Sequence, residues 1–345
     1  MALVRKAVNL HELQTVDFCG RPFTRSPLTR KEIEDAGFKS ISLPNIILEE
    51  KWHKSVGKAL KVGKALMVVS VPGTGKDVTG EKCAFDTNMP LASFSIKPDL
   101  DINEWVSMTR LVGDGIGGTE SIVEEGLLSK AVQGVKYTRN GVEYVQPCFI
   151  LISDIDRATP RQLEVIRQAL QSDGNAYLTC PATAKPIAVN PDTIWYFTAN
   201  SGVDGDGGRG NVTQEMDSSI ANRMIAIHAP PPTEAFERKI IQAKFGDSLS
   251  KDQVKMLVVC VRAVRSAMED NMTGLEISIR TAQSVASYVC SEMSFGESFE
   301  DALRESFDCV SGFFMDKANR ALIQGAIDPK IGSTWVDQQS TTPTP

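Results

Sequence analysis

The sequence predicts an α/β protein: a parallel sheet with helices on both faces, followed by a small all-helical domain. Two observations predict this. Short apolar runs with polar ends alternate with helical patterns up to Ile227, as expected of strand–helix–strand units. Beyond Pro230-Pro231-Pro232 every periodic segment has helical spacing.

The elements follow in order. Residues 1–45 mix charge with Pro22, Pro27 and Pro44 and read as an N-terminal extension against the main domain. Ile46 to Val62 has helical apolar spacing with lysines on the other face. Ala65-Leu66-Met67-Val68-Val69 reads as a buried strand, followed by the turn Ser70-Val71-Pro72-Gly73-Thr74-Gly75-Lys76-Asp77 and a helix to about residue 88, weakened by Gly80. Leu91 to Ile96 is a second strand. Residues 103–136 are expected to hold one helix, a glycine loop over Gly113–Gly118, and a second helix through Leu127–Val132. The loop spells G-x-G-x-x-G but does not follow a strand, so a dinucleotide fingerprint is rejected. Tyr137 to Val145 alternates around Asn140-Gly141, a hairpin signal.

Phe149-Ile150-Leu151-Ile152 and Ile194 to Ala199 read as central strands, and Ile225-Ala226-Ile227 as the last one. Thr159-Pro160 opens a helix expected over 160–172, and 201–211 is a Gly/Asp-rich loop. Helices are expected at 233–245, 250–270, 278–293 and 298–325. The domains are therefore an extension (1–45), an α/β domain (46–232), an α-helical domain (233–328) and a Ser/Thr/Pro tail expected to be disordered (329–345).

Composition narrows the function classes. The net charge of −6 lowers a general nucleic-acid binder. Seven scattered cysteines without a C-x-x-C pair read as reduced buried thiols, and three unpaired histidines do not suggest a metal centre. No run reaches the ~20 apolar residues of a membrane helix, and no signal peptide is evident, so a soluble cytoplasmic protein is expected.

The turn at 70–77 carries the chemistry. A strand, a glycine-rich turn and a lysine form a phosphate-binding P-loop, in which backbone N–H groups hold phosphate oxygens and the lysine adds a point charge. Two positions depart from G-x-x-x-x-G-K-[ST]. Ser70 stands at the first glycine, and Asp77 stands at the hydroxyl that binds Mg²⁺. A second signal is Ser153-Asp154-Ile155-Asp156-Arg157 at the carboxyl end of a strand, where ligands bind in such sheets. Asn200 ends another strand, as a plain cap or as an amide that orients water. Arg223 is either a surface residue paired with Asp217 or a charge at a phosphate; Arg280 is either plain helix surface or a charge at a phosphate. Trp195 and Tyr196 read as core.

This order resembles the AAA+ ATPases, and among them the MoxR/CobS-like branch, over roughly residues 46–325. Pro72-Gly73-Thr74-Gly75-Lys76 corresponds to Walker A, and Ile150 to Ala158 to Walker B. Phe197-Thr198-Ala199-Asn200 resembles sensor 1, Asp217 to Arg223 the arginine-finger segment, and Ser278-Ile279-Arg280 sensor 2. Glu125 to Ala131 is similar to the branch's E-G-x-L-x-x-A helix. Thr198-Ala199-Asn200, Gly205-Asp206, Thr213-Gln214 and Met216-Asp217 are similar to the ATPase subunit of cobalt chelatase.

The resemblance implies ATP and Mg²⁺ as ligands, a homo-oligomeric ring, expected to be a hexamer, and a partner protein with a von Willebrand-type domain. Pro72, Gly73, Thr74, Gly75, Lys76 and Asp77 would bind nucleotide, and Asp77 and Ser153 would hold the ion. Asp154, Asn200, Arg223 and Arg280 would be catalytic. Relative to the family, hydroxyl and carboxylate have traded places between Asp77 and Ser153, which restores one of each to the ion. Asp154 stands where the family has a longer Glu, and a ~1 Å misplacement can cost ~100-fold in rate. Slow Mg²⁺-dependent ATP hydrolysis that remodels a partner is therefore expected. The alternative is a nucleotide-binding scaffold with little hydrolysis. A nucleic-acid motor shares the fold but lacks a basic stripe.

Overall fold

The computed structural model describes residues 14–18, 21–39, 41, 47–63, 65–97, 99–113, 118–171, 175–200, 218–271, 277–311 and 317–331. The chain forms two compact units, one of residues 1–70 and 75–230, the other of Val71–Thr74 and 231–345.

The first unit opens with an antiparallel hairpin, β1 (Thr15–Phe18) and β2 (Arg21–Thr24), and a short helix, α1 (Arg30–Asp35), held by a Thr29/Glu32 capping box. The described part of the expected extension is therefore folded, and Phe18 and Phe23 enter the core. Next come α2 (Glu50–Val62), β3 (Ala65–Val69), α3 (Lys76–Asp86) and β4 (Leu91–Ser95).

The stretch 103–136 differs from expectation. A single turn, α4 (Asn103–Val106), leads into the strands β5 (Ser107–Gly113) and β6 (Thr119–Glu125), which pair antiparallel from Ser107↔Glu125 to Gly113↔Thr119. The expected first helix is thus mostly a hairpin arm. Its β-branched residues, such as Thr109, Val112, Ile122 and Val123, favour a strand over a helix. Residues 114–117 of the glycine loop lie outside the described residues. The expected second helix is present as α5 (Leu127–Gln133).

The Asn140-Gly141 hairpin forms between β7 (Val135–Arg139) and β8 (Val142–Gln146), with both turn residues at positive φ. The rest of the unit is β9 (Phe149–Ser153), a 3₁₀ turn (Ile155–Arg157), α6 (Pro160–Ala169), the small strands β10 (Tyr177–Thr179) and β11 (Pro186–Ala188), β12 (Ile194–Ala199), α7 (Ser218–Ala221) and β13 (Ile225–His228). The β10–β11 hairpin was not expected from the sequence.

Five strands form one sheet in the order β13-β3-β12-β9-β4, and every neighbouring pair is parallel. Alternation along β3 divides the core. Ala65, Met67 and Val69 face one side with Ile150, Ile152, Trp195 and Phe197, over α5 and α6. Leu66 and Val68 face the other with Phe149, Leu151 and Tyr196, under Trp52, Val56 and Leu60 of α2 and Cys83 and Ala84 of α3. Helices cover both faces, which is why the central strands are apolar throughout.

The second unit is helical: α8 (Glu234–Phe245), α9 (Lys251–Asp270), α10 (Ile279–Ser294), α11 (Phe299–Ser311) and α12 (Lys317–Ile331). Thr233, Ser250 and Ser278 cap the first three, each side chain accepting from a first-turn amide. The helix expected over 298–325 is described as α11 and the first part of α12; 312–316 lie outside the described residues. α12 runs to Ile331, so the helical pattern extends three residues into the expected tail; residues 332–345 lie outside the described residues. The core stripe of α9, Val254, Leu257, Val258, Val261, Val264 and Met268, has the i/i+3/i+4 spacing of an amphipathic helix. Within this unit a Cβ on Gly73, at φ 80°, would meet the Ser278 Cβ at 2.9 Å, so only glycine suits the position.

Candidate phosphate-binding site

The site grows from the carboxyl end of β3. Ser70 donates its backbone N–H to Ala199 O at 3.2 Å and its hydroxyl to Ala229 O at 2.7 Å. The hydroxyl thus ties the end of β3 to the chain just beyond β13. The departure at the first P-loop glycine therefore has a partner, 159 residues away, which the sequence could not show.

Gly75 precedes α3 at φ 85°, a left-handed conformation that favours glycine. No side chain caps α3, and a Cβ on Gly75 would meet no heavy atom within 4 Å. There is thus room beside Gly75 at the start of this 11-residue helix. Such a helix start, with its partial positive charge, is suited to an anion.

Lys76 is buried, 7% exposed, and donates from Nζ to Ser70 O at 2.7 Å and to Asn200 Oδ1 at 3.0 Å. Asn200 is held from two further sides. Its Nδ2 donates to Asp154 Oδ1 at 3.0 Å and its backbone N–H to Asp156 Oδ2 at 2.9 Å. The amide's orientation follows from these partners: the oxygen faces the lysine and the NH₂ the carboxylate. Asp154 stands between β9 and the 3₁₀ turn at φ 57°, sparsely populated by non-glycine residues but tolerated by Asp. Such strained positions cluster at functional sites.

Asp77, in the first turn of α3, accepts at Oδ1 from Thr198 Oγ1 at 2.6 Å. Tyr196 Oη donates to Lys76 O at 3.0 Å. Residues 196, 198 and 200 alternate along and just beyond β12, so one face of the strand grips the P-loop helix at three points. This explains Gly80: a Cβ there would lie 2.9 Å from Tyr196 Cδ1 and 3.2 Å from Leu151 Cδ1. The glycine that weakens the helix lets the tyrosine ring lie beneath it.

Behind the loop, Thr79 Oγ1 lies 2.7 Å from His53 Nε2 and 2.8 Å from Gly75 O, while His53 Nδ1 meets Glu49 O. Burial lowers the His53 pKa to about 4, so the ring is neutral near pH 7. Glu49 O can only accept, so the proton of the neutral ring sits on Nδ1, while the Thr79 hydroxyl donates to Gly75 O. Glu81, one turn after Asp77, has its pKa raised by burial and by the Asp77 charge.

The sequence-predicted residues divide accordingly. Lys76, Asp154 and Asn200 form one network, and Asp77 joins the same strand through Thr198. Ser153 ends β9 beside Asp154, its carbonyl accepting from Ile96 N at 3.0 Å. Arg223 follows α7 and donates to Ser219 O, outside this network. Asp217, its expected partner, lies outside the described residues, as do Gly205-Asp206, Thr213-Gln214 and Met216. Arg280 is exposed in the first turn of α10, in the other unit. Thr198, Tyr196 and Asp156 were missed as site residues. The two-residue period from Asn200 back along β12 was the available signal for the first two.

The donor set suits ATP phosphates through the uncapped helix start and Lys76. Among the described residues no group of three His, Cys, Asp or Glu side chains could hold a metal ion. Asp77, a carboxylate in the first turn of α3, is the oxygen donor here that could take part in holding Mg²⁺, an ion that also takes phosphate and water oxygens.

No sequence-family model matches the chain, and no curated protein matches it. Among solved structures, one variant of RuvB from Thermotoga maritima is similar with a TM-score of 0.47 and 13% identity, over 83% of this chain and 78% of that one. A second variant has a TM-score of 0.46 and 15% identity, over 76% and 71%. RuvB described as a Holliday junction branch migration motor has 0.45 and 15%, over 76% and 70%.

Proposed function

We propose that the chain is an ATP-binding and ATP-hydrolysing ring protein of the AAA+ class, of MoxR/CobS type, that remodels a partner protein. The observation that carries this is the continuous path from Lys76 through Asn200 to Asp154, at 3.0 Å each. It joins the phosphate-binding lysine to the carboxylate at the end of β9 through one oriented amide.

In this reading the α3 amides and Lys76 hold the β- and γ-phosphates. Asp154 accepts a proton from the attacking water, and Asn200 orients that water. Arg223 of a neighbouring copy and Arg280 stabilise charge developing on the γ-phosphate. When bound at Asp77 and Ser153, Mg²⁺ supplies charge neutralisation at the phosphate oxygens. The short Asp154, engaged by Asn200, implies slow turnover. The exposed β5–β6 arm, with Leu111 at 72% exposure, is the proposed contact for the partner, by family resemblance a von Willebrand-type domain protein.

One observation favours a second reading, a nucleotide-binding scaffold. Asp154 Oδ1 accepts from Asn200 Nδ2, which commits part of this carboxylate's acceptor capacity to the amide rather than to water. ATP turnover decides between them. The parent chain is compared with Asp77→Thr, Ser153→Asp and the double change. The proposal expects loss in each single variant and retention in the double. Singles that match the parent would remove the exchanged metal site, and tight ATP binding with no phosphate release at any protein concentration would establish the scaffold.

A further inference from the structure

We propose that Thr198 is a positioning residue for the metal–nucleotide complex, acting through Asp77; this deepens, and rests on, the proposed nucleotide site. A carboxylate where P-loops carry a hydroxyl has an extra rotatable bond and a full charge beside the phosphates. Unrestrained, it could turn away from the ion or towards the phosphates. The Thr198 hydroxyl donates to Asp77 Oδ1 at 2.6 Å, a length characteristic of hydrogen bonds to an ionised carboxylate.

The donor is itself well fixed. Thr198 is 1% exposed, its backbone paired to Val68 of β3 in parallel register. As a β-branched residue it has few χ1 choices. On the same strand face, Tyr196 Oη donates to Lys76 O at 3.0 Å, which fixes the helix turn that carries Asp77. One oxygen of Asp77 is thus committed to β12. A carboxylate accepts at two oxygens and about four lone-pair sites, so the group retains acceptor capacity for an ion. The effect is to convert a flexible acid into a rigid one, the same service that second-sphere bonds perform for metal ligands generally.

The test measures nucleotide binding rather than turnover. A fluorescent ATP analogue is titrated onto the full chain in excess Mg²⁺ and in EDTA, for the parent, Thr198→Val and Thr198→Ser. The ratio of the two affinities is expected to fall about tenfold in Thr198→Val and to recover in Thr198→Ser. Mn²⁺ substituted for Mg²⁺ gives a spectroscopic check: its resonance in the nucleotide complex should broaden in the Val variant, as the carboxylate becomes mobile. Thr198→Ala serves if the Val variant does not fold. A Mg²⁺/EDTA ratio equal to the parent's in both Val and Ala variants overturns the positioning role while leaving the nucleotide site intact. A parent that binds no nucleotide overturns the site and this inference together.

Discussion

Replacing Ser70 by glycine restores the standard P-loop letter and should nevertheless destabilise the protein. The Ser70 hydroxyl donates to Ala229 O at 2.7 Å, and both residues are buried, at 7% and 6% exposure. Deleting one partner of a buried hydrogen bond costs about 1–2 kcal/mol. Glycine adds about 0.5–1 kcal/mol of unfolded-chain entropy. Together the Ser70→Gly loss should be about 2 kcal/mol, or roughly 4–8 °C in Tm for a unit of this size. Ser70→Ala separates the terms and should lose only the hydrogen-bond part. Of the four tryptophans, Trp52, Trp105 and Trp195 belong to the first unit, so urea denaturation followed by tryptophan fluorescence reports mainly its unfolding. An unchanged or higher midpoint in both variants would refute the reasoning and make Ser70 a simple departure without a structural role.

Three further outcomes follow from the geometry. Gly80→Ala gains about 1 kcal/mol of helix propensity but overpacks the Tyr196 ring, at a cost of about 1–3 kcal/mol; thermal melts should show net destabilisation, and Tyr196→Leu in the same background should relieve it. The His53 pKa is lowered from 6.5 to about 4, so its contribution is complete above pH 6.5 and is lost as pH falls towards 4, by roughly 3 kcal/mol at about 1.4 kcal/mol per tenfold in proton affinity. Urea midpoints measured from pH 7 to 4 should decline more steeply for the parent than for His53→Gln. In the helical unit, Glu237 is buried and paired with Arg262 at 3.1 Å and Arg265 at 2.8 Å; Glu237→Ala should cost about 3 kcal/mol by leaving the half-buried guanidinium groups uncompensated, read by calorimetry.

Local signals account for much of what was legible. Periodicity and glycine chemistry located all five strands of the parallel sheet, the Asn140-Gly141 hairpin and the helical C-terminal unit. They failed where a segment's preference was divided. The β5–β6 arm has glycines at one end and both apolar and charged residues on each strand, so neither period dominates it.

Within the site, the sequence alone determined which residue types stand at the ends of strands: Lys76 after the turn, Asp154 after β9 and Asn200 after β12. Such identities are local, and the alternation of strands with helices implies their common edge. Only the tertiary structure decided their bonding. The partner of Ser70 is 159 residues distant and that of Asp77 is 121 residues distant. Those contacts depend on strand order and register, with β3 lying between β13 and β12, and no local pattern encodes that. The letter changes in the loop were visible from the start; that Ser70 and Asp77 are each tied to a neighbouring part of the sheet by a hydroxyl is a property of the folded chain.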